Sequence, residues 1–97
     1  MKLDFNWKIK NWDDQEIAPA NEVIAKILEQ GVNQDERYID KIDDWGRKLI
    51  KDKAVEVDQV DAKQIRDMVI KSNIAINIAK SSLKNYIQKR IDETTKK

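Results

Sequence analysis

The stretch from Asp61 to Ile91 constrains this chain most, because it asks for two consecutive helices and a surface on which to bury them. Asp61 reads as an N-cap, with Gln64 three residues on as its capping-box partner and Val60 and Ile65 as a hydrophobic staple. Asp58 is the rival cap, which would place Asp61 in the first turn, where an acidic side chain suits the helix dipole. From Ala62, the residues Ile65, Met68 and Val69 recur at helical spacing. Ser72 and Asn73 interrupt the run, since both favour caps over helix interiors. A second helix is expected from Asn73 to Asp92. At about 100° per residue, Ala75, Ile76, Ala79, Leu83, Tyr86 and Ile87 share one face. Asn77, Ser81, Lys84, Asn85 and Gln88 share the other, and Ile74 and Ile78 fall on that polar side. The first two turns are therefore expected to be buried nearly all round, and the last three half exposed.

Such helices need partners, and 97 residues supply one domain with one modest core. Apolar residues make up 40% and charged residues 38%, a globular mix rather than a disordered one. The net charge is +1, so no global field draws the chain to DNA or acidic lipid. The absence of cysteine removes disulfides, thiolate chemistry and cysteine–metal sites. The absence of histidine removes the commonest general base and metal ligand. No apolar run is long enough to span a membrane. No apolar segment follows Met1-Lys2 as in a secretory signal, so the expected compartment is the cytoplasm.

At the N-terminus, Leu3, Phe5, Trp7 and Ile9 alternate with polar residues, the pattern of a half-buried strand. Asn11 to Gln15 has turn composition, and Glu16 to Ala18 is a short return strand. Trp12, in the turn, either folds back over the apolar face or stays exposed. A two-stranded hairpin is marginal alone, so this one must lie on helices. Pro19 opens the first helix, Val23, Ile24, Ile27 and Leu28 form its stripe, and Gly31 is placed to end it in the left-handed conformation. A short connection over residues 31–35 leads to a second helix from Asp35 to Lys51, striped by Tyr38, Ile39, Ile42, Trp45, Leu49 and Ile50. Gly46 lies inside that helix, where glycine costs about 1 kcal/mol relative to alanine. A close helix crossing is the plain explanation for it, and a kink or cleft the sharper one. Ala54 to Val57 alternates briefly and reads as an extended segment, a candidate third strand.

Charge is unevenly placed. Residues 1–48 carry a net −3 and residues 49–97 a net +4. Between Met68 and Ile91 stand Lys71, Lys80, Lys84, Lys89 and Arg90, with no acidic residue. A solvated face is the plain reading of such lysines. A basic helix can also track phosphates or dock an acidic surface. No arginine cluster, glycine-rich loop or interleaved aromatic set accompanies it, which counts against base readout.

The carboxylates offer little chemistry. Asp13 and Asp14 suit a turn. Asp43 and Asp44 diverge on a helix, and Asp40 and Asp44 share a face with Lys41, Arg47 and Lys48 near enough to neutralise them. Asp58 and Asp61 lack the spacing of a calcium loop. No phosphate loop, dinucleotide fingerprint or metal-binding helix motif occurs.

Two short blocks, Leu3-Asp4-Phe5-Asn6 with Ile9-Lys10-Asn11-Trp12-Asp13, and Val55-Glu56-Val57-Asp58 before a helix, resemble small proteins encoded by tailed phages and prophages. In that group a short strand leads to an Asn-Leu-Asp-Gly-type turn and then to helices. Here Trp12 replaces the usual leucine and Asp14 the glycine, which alters the tight turn. The resemblance implies a phage or prophage accessory protein acting in the cytoplasm of a bacterial host. It carries over no functional residue.

The chain is expected to be α+β: a short N-terminal β-hairpin (residues 1–18) packed on about four α-helices. Two helices fall in 19–53 and two in 61–92, with an extended segment over 54–60 and a frayed tail over 93–97. The expected core is Phe5, Trp7, Ile24, Ile27, Leu28, Ile42, Trp45, Leu49, Ile65, Val69, Ile76, Ala79 and Leu83. The expected function is a non-enzymatic protein-interaction or assembly module that self-associates. Its candidate partner surface is Trp12, Lys80, Lys84, Tyr86, Lys89 and Arg90. A weak, sequence-independent nucleic-acid binder and a small inhibitor of a host defence protein are the alternatives. No catalytic residue, cofactor, metal, membrane or small-molecule substrate is expected.

Overall fold

The computed structural model describes residues 1–31 and 36–95, apart from the side chains of residues 36, 37 and 95. The expected helix start at Asp35 and most of the 31–35 connection lie outside the described residues. The elements in chain order are β1 (Lys2–Asp4), β2 (Lys8–Lys10), β3 (Glu16–Pro19), α1 (Ala20–Gln30), α2 (Glu36–Asp52), β4 (Ala54–Glu56), α3 (Gln59–Lys71) and α4 (Asn77–Thr95). The fold is α+β, with an antiparallel β2–β3 hairpin against four helices.

The alternation of the first residues holds in burial but not as one strand. Leu3, Phe5 and Ile9 are buried and Trp7 half-buried, yet the backbone leaves the ladder between Asp4 and Lys8. Asp4 causes the break, because local bonds compete with a ladder. Its carboxylate accepts the Asn6 N–H at 2.9 Å, and its carbonyl accepts the Trp7 indole N–H at 3.0 Å. β1 then pairs antiparallel with β4, Leu3 opposite Val55. β2 pairs with β3 across a bulge that leaves Ile17 without an opposite residue. The candidate third strand thus exists and belongs to a separate two-stranded sheet.

The hairpin turn is built by Asn11. Its side-chain oxygen accepts the N–H groups of Asp13 and Gln15, both at 2.9 Å. Asp14 is forced to φ 65°, the left-handed region that costs a residue with a Cβ. Its carboxylate makes no bond among the described residues. Asp14→Gly is expected to raise stability by about 0.5–1 kcal/mol in urea unfolding. A loss of stability would show that the turn depends on the aspartate itself.

α1 and α2 run antiparallel. Near the start of α1, buried Asn21 donates its amide to the Leu49 carbonyl, at the end of α2, at 3.1 Å. Pro19 serves as N-cap of α1 rather than as its first helical residue. Gly31 does not adopt the left-handed conformation; it leaves the helix extended, at φ −70° and ψ 148°. Glycine is required there for space, since a Cβ would stand 2.7 Å from Met68 Cε and 2.9 Å from the Ile27 carbonyl oxygen. The left-handed residue lies instead after α2, at Lys53 (φ 60°), whose carbonyl accepts the Phe5 N–H at 2.8 Å.

α3 is capped by Asp58, whose carboxylate accepts the Asp61 N–H at 2.7 Å. Asp61 is therefore a first-turn residue. It is buried and pairs with Lys41 of α2 at 3.5 Å. Val60 is exposed, so the staple from it to Ile65 does not form. The interruption after α3 is longer than expected, and α4 starts at Asn77 rather than Asn73. The Ser72 hydroxyl accepts the Ile74 N–H at 3.2 Å, and the Lys80 ammonium reaches back to the Ser72 carbonyl at 2.8 Å. These bonds hold residues 72–76 as a shaped connection rather than a helical turn. Ile74 and Ile76 consequently lie outside the core, at 48% and 63% exposure, where full burial was expected. At its far end α4 continues to Thr95, so residues 93–95 are helical rather than frayed; residues 96–97 lie outside the described residues.

The core gathers Leu3, Phe5 and Ile9 from the strands, Ile24, Ile27 and Leu28 from α1, Trp45 and Leu49 from α2, Ile65 and Val69 from α3, and Leu83, Ile87 and Ile91 from α4. Val55 and Val57 close it from the β4 side. Of the expected core, Ile76 is solvent-facing and Trp7 and Ile42 lie at its margin. Arg66 joins α3 to α4 through Gln88 at 2.6 Å.

Candidate functional site

The expected partner surface does not come together as one patch with free side chains. Trp12 projects from the hairpin turn at 95% exposure, so it does not fold back over the apolar face. Tyr86 is half-buried and structural. Its ring meets Phe5 edge-on with centroids 5.2 Å apart and Trp7 at 5.5 Å. Its hydroxyl accepts the Asp4 N–H at 2.8 Å, which excludes it as an exposed anchor. Lys80 is committed to the Ser72 carbonyl. Arg90 donates to the Lys2 carbonyl at 3.2 Å and to Glu93 at 2.8 Å. Lys84 and Lys89 keep their ammonium groups free of protein partners among the described residues, with Lys89 the more exposed. The basic stripe therefore splits into two cations that fasten the fold and two that face solvent.

Two of the α2 carboxylates are paired on the surface, while Lys41 goes to Asp61 and leaves Asp40 without an ion pair among the described residues. Arg47 binds Asp43 at 2.9 Å and Lys48 binds Asp44 at 3.0 Å, each one turn apart. The bond to Asp43 and its charge hold the Arg47 guanidinium above its ordinary pKa. Among the described residues, no group of three or more acidic, histidine or cysteine side chains is placed to hold a metal. Among them, too, no helix is long and apolar enough to cross a membrane.

A different feature stands out on α2. Tyr38, Trp45 and Leu49 turn towards the core, while Ile39, Gly46 and Ile50 occupy the adjoining stripe and face outwards. Ile39 is 52% and Ile50 58% exposed. With Ala25 and Leu28 of α1 and half-buried Ile42, they line an open groove of about 770 Å³ between the two helices. Glu29 stands on the α1 rim and the Asp43–Arg47 pair on the α2 rim. Gly46 forms part of the floor, and a Cβ there would meet nothing within 4 Å. The close helix crossing expected at Gly46 is absent, and the cleft is what the glycine adjoins.

This groove was not among the expected site residues. Its signal was the width of the α2 stripe. At about 100° per residue, Tyr38 through Ile50 cover an arc of roughly 140°, wider than the seam against one neighbouring helix. The polar groups at the groove do not converge on a point. The arrangement is suited to apolar contact, with charges at the edges that fix orientation.

Comparison with family models, with characterised proteins and with solved structures gave no match for this chain.

Proposed function

We propose that this chain is a non-enzymatic protein-interaction module whose docking surface is the α1–α2 groove. One observation carries the reading: a helix of the fold leaves Ile39 and Ile50 in solvent around an unfilled space at Gly46. A fold that buries Ile24, Leu49, Ile65 and Leu83 completely has the means to cover such residues. Contiguous exposed apolar surface with a polar rim is the usual mark of an association site. An apolar helix or short segment of a protein partner fits the groove's form. A place in a phage or prophage assembly belongs to the same reading, on the strength of the two short sequence blocks alone. Nucleic-acid binding is the lesser reading, because Lys80 and Arg90 already serve bonds within the fold.

The test uses a photo-crosslinking side chain at position 39, with exposed Lys63 of α3 as the control position. In bacterial cells carrying the gene, a covalent adduct is expected from position 39 and none from position 63. Gly46→Leu should abolish the adduct by filling the groove. The same substitution is expected to stabilise the free chain by about 1 kcal/mol, because it removes a helix-interior glycine at a position where a Cβ meets nothing within 4 Å, and urea unfolding of the variant checks it. Loss of the adduct will then not reflect unfolding. No adduct from position 39 would refute the proposal.

A further inference from the structure

We infer that the groove's occupant is a second copy of this chain, whose α3–α4 connection enters it in a two-fold dimer. The inference rests on the groove being a docking site and names what fills it.

The connection has the character of a ligand. Ile74 and Ile76 project from it into solvent, with exposed Ile70 one turn before it on α3. They are not on a slack loop, since Ser72 and Lys80 fix residues 72–76 through the bonds already described. A segment held in shape before contact loses little freedom on binding, which favours affinity.

Charge also points to this occupant. The connection belongs to the span from Met68 to Ile91 that contains lysine and arginine and no acid. The groove has the opposite bias. Glu29 on its rim forms no ion pair among the described residues, and the one lining cation, Arg47, is held by Asp43. Lys71, exposed beside the connection, forms no ion pair among the described residues and is the matching charge for Glu29. Opposite charges set around an apolar contact orient it and raise the rate of encounter.

The position of the two surfaces decides the symmetry. Gly31 lines the groove on one side and, on the other, a second depression that includes Ile74. Donor and acceptor are therefore neighbours on one molecule. A two-fold axis between such neighbours makes both contacts at once, each connection in the other copy's groove. Closed two-fold dimers of this kind are the commonest oligomers.

The test is sedimentation equilibrium of the whole chain from micromolar to millimolar concentration, with two single variants and their mixture. Wild type is expected to dimerise. Ile76→Asp, which spoils the connection, and Gly46→Leu, which fills the groove, should each raise the dimer dissociation constant at least ~100-fold. Both positions are open to solvent or to empty space, and circular dichroism checks that each variant stays folded. Mixing the two variants should restore a one-to-one dimer, because one holds an intact groove and the other an intact connection. A monomeric wild type would overturn the inference, as would a mixture that stays monomeric, or a dimer indifferent to both substitutions. If the chain is monomeric while position 39 still crosslinks to a different protein, the second copy is wrong and the docking groove stands. If it is monomeric with no adduct, both fall.

Discussion

Phe5→Ala is expected to destabilise the chain by about 3–5 kcal/mol, a large part of the stability of a domain this size. Phe5 is fully buried where β1 ends. Its ring touches Tyr86 edge-on at 5.2 Å and lies 6.3 Å from Trp7. Its backbone N–H binds the Lys53 carbonyl. Removing the ring leaves a cavity where the strands, the end of α2 and the middle of α4 meet, and none of these can move in without breaking another bond. Urea unfolding followed by circular dichroism should show the loss as a lower midpoint with an unchanged slope. A change below about 1 kcal/mol would mean that the cluster collapses freely around the gap.

Gly31→Ala is the second large effect, a loss of about 1–3 kcal/mol in the same experiment. The added methyl would meet Met68 Cε at 2.7 Å and the Ile27 carbonyl oxygen at 2.9 Å. The methionine end can swing away, but the carbonyl belongs to the last turn of α1 and cannot. Gly31→Ala in a Met68→Ala background separates the two contacts. If the backbone contact dominates, the cost of the alanine persists. If the cost disappears, the methionine alone explains the glycine.

These two residues show how far the sequence could be read. Phe5 was legible because alternation over Leu3, Phe5 and Ile9 states which face is buried, whatever the strand pairs with. The pairing was not legible. It depends on Asp4 turning the chain out of the ladder and on Lys53 taking a left-handed conformation, two backbone events without a periodic signature. Gly31 was legible as the end of a helix but not in its reason, which is the space taken by the Ile27 carbonyl and by Met68, the latter distant in sequence. The α3 cap stood open between Asp58 and Asp61 because both can accept an N–H; burial of Asp61 against Lys41 decided it. The start of α4 was misplaced for a similar cause. Ala75 and Ile76 match the stripe of Ala79 and Leu83, and only the clasp of Lys80 on Ser72 shows that they precede the helix. Of the candidate surface, Tyr86 was drawn inwards by Phe5 and Trp7, a contact across almost the whole chain. The groove followed from the breadth of the α2 stripe, which was visible; Ile42, Trp45 and Leu49 were assigned to the core, and the flanking Ile39 and Ile50 were given no role.

The first strand makes its bonds late in the sequence. β1 pairs with β4, Asp4 binds Tyr86, Lys2 binds Arg90, and the Thr94 hydroxyl reaches Met1 Sδ at 3.8 Å. On a ribosome, residues 2–5 emerge long before any of those partners exists. Leu3 and Phe5 must then wait, unpaired until β4 has been synthesised and without their α4 contacts until Tyr86 follows. The hairpin of β2 and β3 and the α1–α2 pair can form meanwhile from local contacts, but closure of the core is delayed until α4 has been made. A chain released early, before Tyr86, would therefore leave Phe5 without its α4 cover even with β1 paired to β4, and exposed apolar surface of that kind favours aggregation.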